Sequence, residues 1–163
     1  MAGIALRTAL WLTLGGWVGS WACFGLLVAP TAFRVLPTTE IAGRLVGPVL
    51  GTLHLYGLVA GLALAALARV MGRGRVLVIA PLLLAGLCAF SHFWVSAELA
   101  EIRPLAFGPG GSVEIATRYG ALHRLSLGIY LVISAATLAL VFLHAKADAR
   151  AAAGLEIRPE RVG

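Results

Sequence analysis

The chain has 163 residues, of which 60% are hydrophobic and only 12% charged. That length suits one domain, but a soluble domain keeps roughly a quarter of its residues charged, and the mean hydropathy here is +0.95, so most of the surface must face something other than water. The net charge of +6 would suggest nucleic acid in a soluble protein, yet the basic residues sit beside apolar runs, with no basic–aromatic interleaving, and read as topology signals; nucleic acid is excluded as a partner.

The first apolar run covers about 9–29. Arg7 followed by a long apolar stretch and Ser20-Trp21-Ala22-Cys23 resembles a cleavable leader, but Trp21 is bulky where a small residue is required. The run also continues past Cys23, so a retained helix is expected. Pro30, Arg34 and Pro37 should end it, because proline removes a helical donor. Thr38 or Thr39 can cap the next helix, with Glu40 favourable in its first turn.

The second span is expected at about 45–68, followed by Arg69, Arg73 and Arg75 and a turn loosened by Gly72 and Gly74. A third follows at about 76–97, with Pro81 in its early turns. Residues 98–118 read as a hydrophilic loop broken at Gly108-Pro109-Gly110-Gly111, and the fourth span runs from about 121 to 143. The expected architecture is all-α: a four-transmembrane-helix bundle over 1–145 and a flexible cytoplasmic tail over 146–163.

Charge counting gives an orientation. Arg7, the arginine loop, Lys146, Arg150, Arg158 and Arg161 fall on one side. Arg34, Arg44, Arg103, Arg118 and Arg124, offset by Glu40, Glu98, Glu101 and Glu114, fall on the other. The positive-inside rule then places both termini in the cytoplasm. Such a chain is expected to be a multi-pass protein of the bacterial inner (plasma) membrane, with the lipid bilayer as its first partner.

Each span carries a stripe of small or polar residues expected to turn inward, since polar groups are costly in lipid. On the first it is Gly16, Ser20 and Cys23. On the second, Gly43, Gly47 and Gly51 recur every four residues and form one line, which suits close helix packing or an interface between two copies in a homo-oligomer. His54 continues that line, and Gly57 and Gly61 form a second small pair. Cys88, His92 and Ser96 share a face of the third span; Tyr119, His123, Ser126 and Tyr130 make a stripe on the fourth. Trp17 and Trp21 are expected between helices or against lipid, and Trp11 and Trp94 at the interfaces.

His54, His92 and His123 fall in the same half of the membrane. Imidazole on separate helices can ligate haem or copper, and Cys88, one turn from His92, could join a metal site. The alternative is that each ring hydrogen-bonds a hydroxyl or carbonyl of a neighbouring helix. His144, near the end of the fourth span, reads as a cation at a helix C-terminus. Cys23 and Cys88 do not suggest a disulfide framework. No acid lies inside any span, and there is no phosphate-binding loop or serine–histidine–acid set.

The stretch Phe24-Gly25-Leu26-Leu27-Val28-Ala29-Pro30-Thr31-Ala32-Phe33, then Ala42-Gly43-Arg44, with Leu122-His123-Arg124-Leu125-Ser126 in the last span, resembles the transmembrane-protein-205-like family of small four-helix membrane proteins. The resemblance covers most of the chain, from about Leu12 to Leu143, and implies a four-helix membrane domain with no established reaction. A looser similarity extends to membrane bundles of the copper-resistance D type and to the four-helix haem-binding protoporphyrinogen oxidase, without a motif match that transfers a ligand.

Three functions are therefore weighed. The first is a small, non-catalytic integral membrane protein. The second is a haem- or copper-binding membrane redox or metal-handling protein using His54, His92 and His123. The third is a small transporter or channel working along the Gly43–Gly47–Gly51 face, against which the lack of a buried acid counts.

Overall fold

The computed structural model describes residues 2–108 and 111–156, and its described residues form helices joined by short turns, with no strand among them. Four rods are long and apolar enough to cross a membrane: Gly3–Val35, Thr39–Val70, Arg75–Phe107 and Val113–Ala153. At 1.5 Å per residue the first three are about 50 Å long, well beyond a hydrocarbon core of about 30 Å, so their ends reach the headgroup layers or the rods tilt.

The first rod comprises α1 (Ala2–Cys23), a π-helical turn at Phe24–Val28, and α2 (Ala29–Val35). The expected stop at Pro30 does not occur. In an α-helix the ring of Pro30 would collide with the carbonyl of Leu26 and leave it without a donor. The wide turn just before it changes the ladder to i→i+5, with Ala29 N–H bonded to Phe24 O, and the helix continues to Val35. Thr38 then caps α3 (Thr39–Val70), its hydroxyl oxygen accepting from Ile41 N at 3.2 Å.

The third rod likewise outruns its expected span. It comprises α4 (Arg75–Phe90), a π-helical segment at Ser91–Ser96, and α5 (Ala97–Phe107). The stretch expected to be a loop is thus helical as far as Phe107; of the expected glycine break, Gly108 and Gly111 are non-helical, and Pro109 and Gly110 lie outside the described residues. The last helix, α6 (Val113–Glu156), starts before its expected span and continues through the segment expected to be a flexible tail. Residues 157–163 of that tail lie outside the described residues.

The core is built from one stripe per rod. On α1 the buried residues are Leu10, Leu14, Trp17 and Trp21, spaced four, three and four apart as one helical face requires. The small and polar stripe expected to face inward on this helix does not: Gly16 and Cys23 are exposed. The Ser20 hydroxyl donates to its own helix at Trp17 O, 3.0 Å, and so has no need of an inner partner. Trp17 and Trp21, 0% and 1% exposed, take the central place instead.

The close helix approach expected at Gly43, Gly47 and Gly51 is found further along α3. A Cβ placed on Gly57 would stand 2.7 Å from Cys88 Sγ, and one on Gly61 would stand 2.7 Å from the Pro81 carbonyl oxygen. Both would also meet the Trp17 indole, at 3.0 Å and 3.2 Å. Absent side chains on α3 thus admit both α4 and the tryptophans of α1.

At the end holding the arginine loop, a polar cluster ties three segments together. Gly72, at φ +66°, closes α3 in a Schellman turn in which Arg73 N–H bonds to Ala68 O. The turn aims Arg73 at α6, where its guanidinium donates to the His144 carbonyl at 3.1 Å and to Asp148 Oδ1 at 2.6 Å. Asp148 also accepts from Trp11 Nε1 at 2.9 Å and lies 3.4 Å from Arg7 Nε. His144 is buried in mid-helix rather than placed at a C-terminus, because α6 runs on beyond it.

Removing Asp148 would leave Arg73, whose side chain is 6% exposed, without its counter-charge. Asp148→Ala should therefore lower stability by about 3 kcal/mol in detergent unfolding, the range for breaking a buried pair. Arg7→Ala, on a side chain 52% exposed, should change it by less than about 1 kcal/mol.

Candidate ligand cavity

Toward the other end the rods separate around a cavity of about 540 Å³. Its walls come from the π-turn and α2 of the first rod, the first half of α3, the π-segment and α5 of the third rod, and α6. Both wide turns border it, through Phe24 and Gly25 on one side and His92 and Ser96 on the other. A π-turn displaces the face of a helix, and such turns gather at functional sites.

Gly43, Gly47 and Gly51 line this space rather than a helix seam. A Cβ on Gly43 would meet nothing within 4 Å; one on Gly47 would lie 2.8 Å from Arg103 Nη2; one on Gly51 would lie 3.7 Å from His92 Nδ1. The glycine line keeps one wall bare, and the polar side chains of the third rod occupy the space it leaves.

His92 and His123 both line the cavity, whereas His54 and Cys88 do not. The Nδ1 of His92 lies 2.8 Å from the Gly51 carbonyl oxygen, which can only accept, so Nδ1 donates. In the neutral ring the lone pair then belongs to Nε2. His123 is exposed and lies parallel to Tyr119, with ring centroids 6.3 Å apart.

His54 is fully buried in the core, edge-on to Trp21 at 5.7 Å, and neither ring nitrogen has a hydrogen-bond partner among the described residues. Cys88 is fully buried beside Gly57 and the tryptophans. The three histidines and the thiol are therefore not gathered around one point. Among the described residues no group of three or more His, Cys, Asp or Glu stands close enough to hold a metal ion.

Arg103 is the residue that sequence reasoning missed. From the sequence it counts only as a charge in a loop. On the helix that actually forms, His92, Ser96, Leu99 and Arg103 follow at intervals of four, three and four and share the cavity wall. Extending the His92–Ser96 stripe would have found it. Arg103 Nε is buried without a partner, and the guanidinium makes no ion pair among the described residues. Glu98 is engaged with Arg118, and Glu40 with Arg44 at 2.8 Å.

Tyr130 closes the inner end of the cavity. Its hydroxyl donates to Trp21 O at 2.6 Å, and its ring lies parallel to the Trp21 indole with centroids 6.2 Å apart. The lining contains apolar side chains, three hydroxyl-bearing aliphatic residues, two tyrosines, two imidazoles and one guanidinium; no carboxylate or thiol is among the described lining residues. That is the composition of a ligand pocket: mostly apolar, with a few placed polar groups.

Comparison with protein-family models, with curated proteins and with solved structures finds no match.

Gly25 makes room for the Tyr130 hydroxyl, which would collide with any Cβ there. Gly25→Ala should destabilise the protein by about 1–3 kcal/mol through overpacking. Adding Tyr130→Phe should restore part of that loss, so thermal unfolding of the two single variants and the double variant should be non-additive.

Proposed function

We propose that this is a non-catalytic, multi-pass protein of the bacterial inner membrane that binds a small amphiphilic molecule from the bilayer in the cavity between its four helices. The observation carrying this reading is the cavity of about 540 Å³, within the usual range for small-molecule sites, with apolar walls and a polar strip along the third rod. The short motifs resembling the transmembrane-protein-205-like family support the same membrane setting.

The arginine loop supports an orientation with both termini in the cytoplasm and the cavity in the outer half of the membrane. Reporter fusions or impermeant thiol labelling at Gly74 and Gly111 test it: Gly111→Cys should label from outside intact cells and Gly74→Cys should not. The reverse pattern would invert the scheme.

A second reading is haem held between His92 and His123, favoured because both imidazoles line one cavity. A metal-ligating imidazole usually donates its other nitrogen to a carbonyl, as His92 does to Gly51. Purified protein would then show a Soret band that His92→Ala and His123→Ala each abolish. A colourless preparation carrying no iron removes this reading.

Gly43→Leu tests the amphiphile site. The new side chain enters open space, and replacing a helical glycine improves helix propensity by up to about 1 kcal/mol. In phosphatidylcholine nanodiscs, wild type should bind radiolabelled tetradecanol saturably at one site, above the partitioning into empty discs. The variant should be at least as stable and bind more than tenfold more weakly. Unchanged binding would show that the cavity is not the site.

A further inference from the structure

Building on the binding role proposed above, we infer that the occupant is a single-chain amphiphile with a carboxylate head, held by Arg103. A charged side chain within a bundle wall is costly unless something neutralises it. Arg103 borders the cavity, its Nε is buried and unsatisfied, and no acid among the described residues pairs with it. Arg103 is half-buried, so its guanidinium stays open to a partner from outside the protein's own carboxylates, and the cavity is where a ligand can reach it.

Charge and shape specify the head. One guanidinium offers one positive charge and a planar fork that matches the two oxygens of a carboxylate. A phosphate monoester carries between about −1.5 and −2 at neutral pH, more than this single cation balances. His92 does not supply the remainder in its neutral form, since its Nδ1 proton is already committed to Gly51 O. Gly47 seats the cation: with no side chain there, the Nη2 end of Arg103 lies directly against α3 at the cavity wall.

Size and lining specify the tail. About 540 Å³ accommodates one alkyl chain, and a two-chain phospholipid is too large to enter whole. Apart from the polar strip of the third rod, much of the wall is apolar, with Phe24, Phe33, Leu50 and Leu127 among its residues, and it offers an alkyl chain a surface to lie against.

The test compares tetradecanoate, tetradecanol, tetradecylamine and tetradecyl phosphate, each radiolabelled, binding to full-length protein in phosphatidylcholine nanodiscs at alkaline pH. Tetradecanoate should bind at least tenfold more tightly than tetradecanol. Arg103→Gln should remove that preference by weakening tetradecanoate binding at least tenfold more than tetradecanol binding, and Arg103→Lys should retain part of it. Saturable tetradecanol binding by the variant, whatever its affinity, also shows that it has folded.

Equal binding of acid and alcohol would overturn the role of Arg103 and leave the amphiphile site standing. Tighter binding of the phosphate than of the carboxylate would overturn the choice of head, and preference for the amine would overturn the charge assignment. Binding of none of the four would overturn the amphiphile site itself.

Discussion

A hydrocarbon solvent offers no partner for a peptide N–H or C=O, and the shape of this protein follows from how its helices meet that constraint. A proline in such a rod must be answered locally. At Pro30 the answer is the π-turn at Phe24–Val28, which shifts the bonding register before the missing donor is reached. The hydroxyls follow the same rule: Thr13, Ser20, Ser134 and Thr137 each donate to a carbonyl of their own helix. Polar side chains satisfied in this way need not face the protein interior, which is why Ser20 does not direct the orientation of α1.

What faces inward is decided by fit. Lipid is as apolar as leucine, so burying a leucine gains little by transfer, and helices associate where their surfaces interlock. Gly57 and Gly61 create a depression on α3 that receives the indoles of α1 and the backbone of α4. Trp17 and Trp21, inclined to one another at 75° with centroids 6.3 Å apart, fill it from the opposite side. The Asp148–Arg73 pair then fixes the same end of the bundle by charge, with Trp11 joining α1 to the cluster.

The four rods were legible in the sequence because about 20 apolar residues in a row have few other solutions. Their true ends were not. Residues 98–107 and 146–156 are polar enough to resemble loops, yet helix geometry persists once a long rod is nucleated and its backbone bonds are already being propagated. That error hid Arg103, whose alignment with His92 exists only if the helix continues past Ser96. His92 and His123 border one cavity and His54 does not; helical position alone could not say which face each would take. Three residues separate Gly51 from His54, enough rotation to put the first against His92 at the cavity wall and the second against Trp21 in the core.

The cavity and the tight end are two consequences of one arrangement of glycines. Where a glycine on α3 faces a bulky partner, as Gly57 and Gly61 face the tryptophans, the missing side chain becomes contact. At Gly43 nothing fills the gap, and at Gly47 only the tip of a flexible arginine reaches it. The rods bordering that region also carry the two π-turns, which offset the helix faces on either side of them. A bundle built for packing alone would close this end with leucines at no cost in lipid. Bare backbone, a wide turn on each flank and an unpaired cation fall in the same region, and the proposal of a ligand site rests on that coincidence.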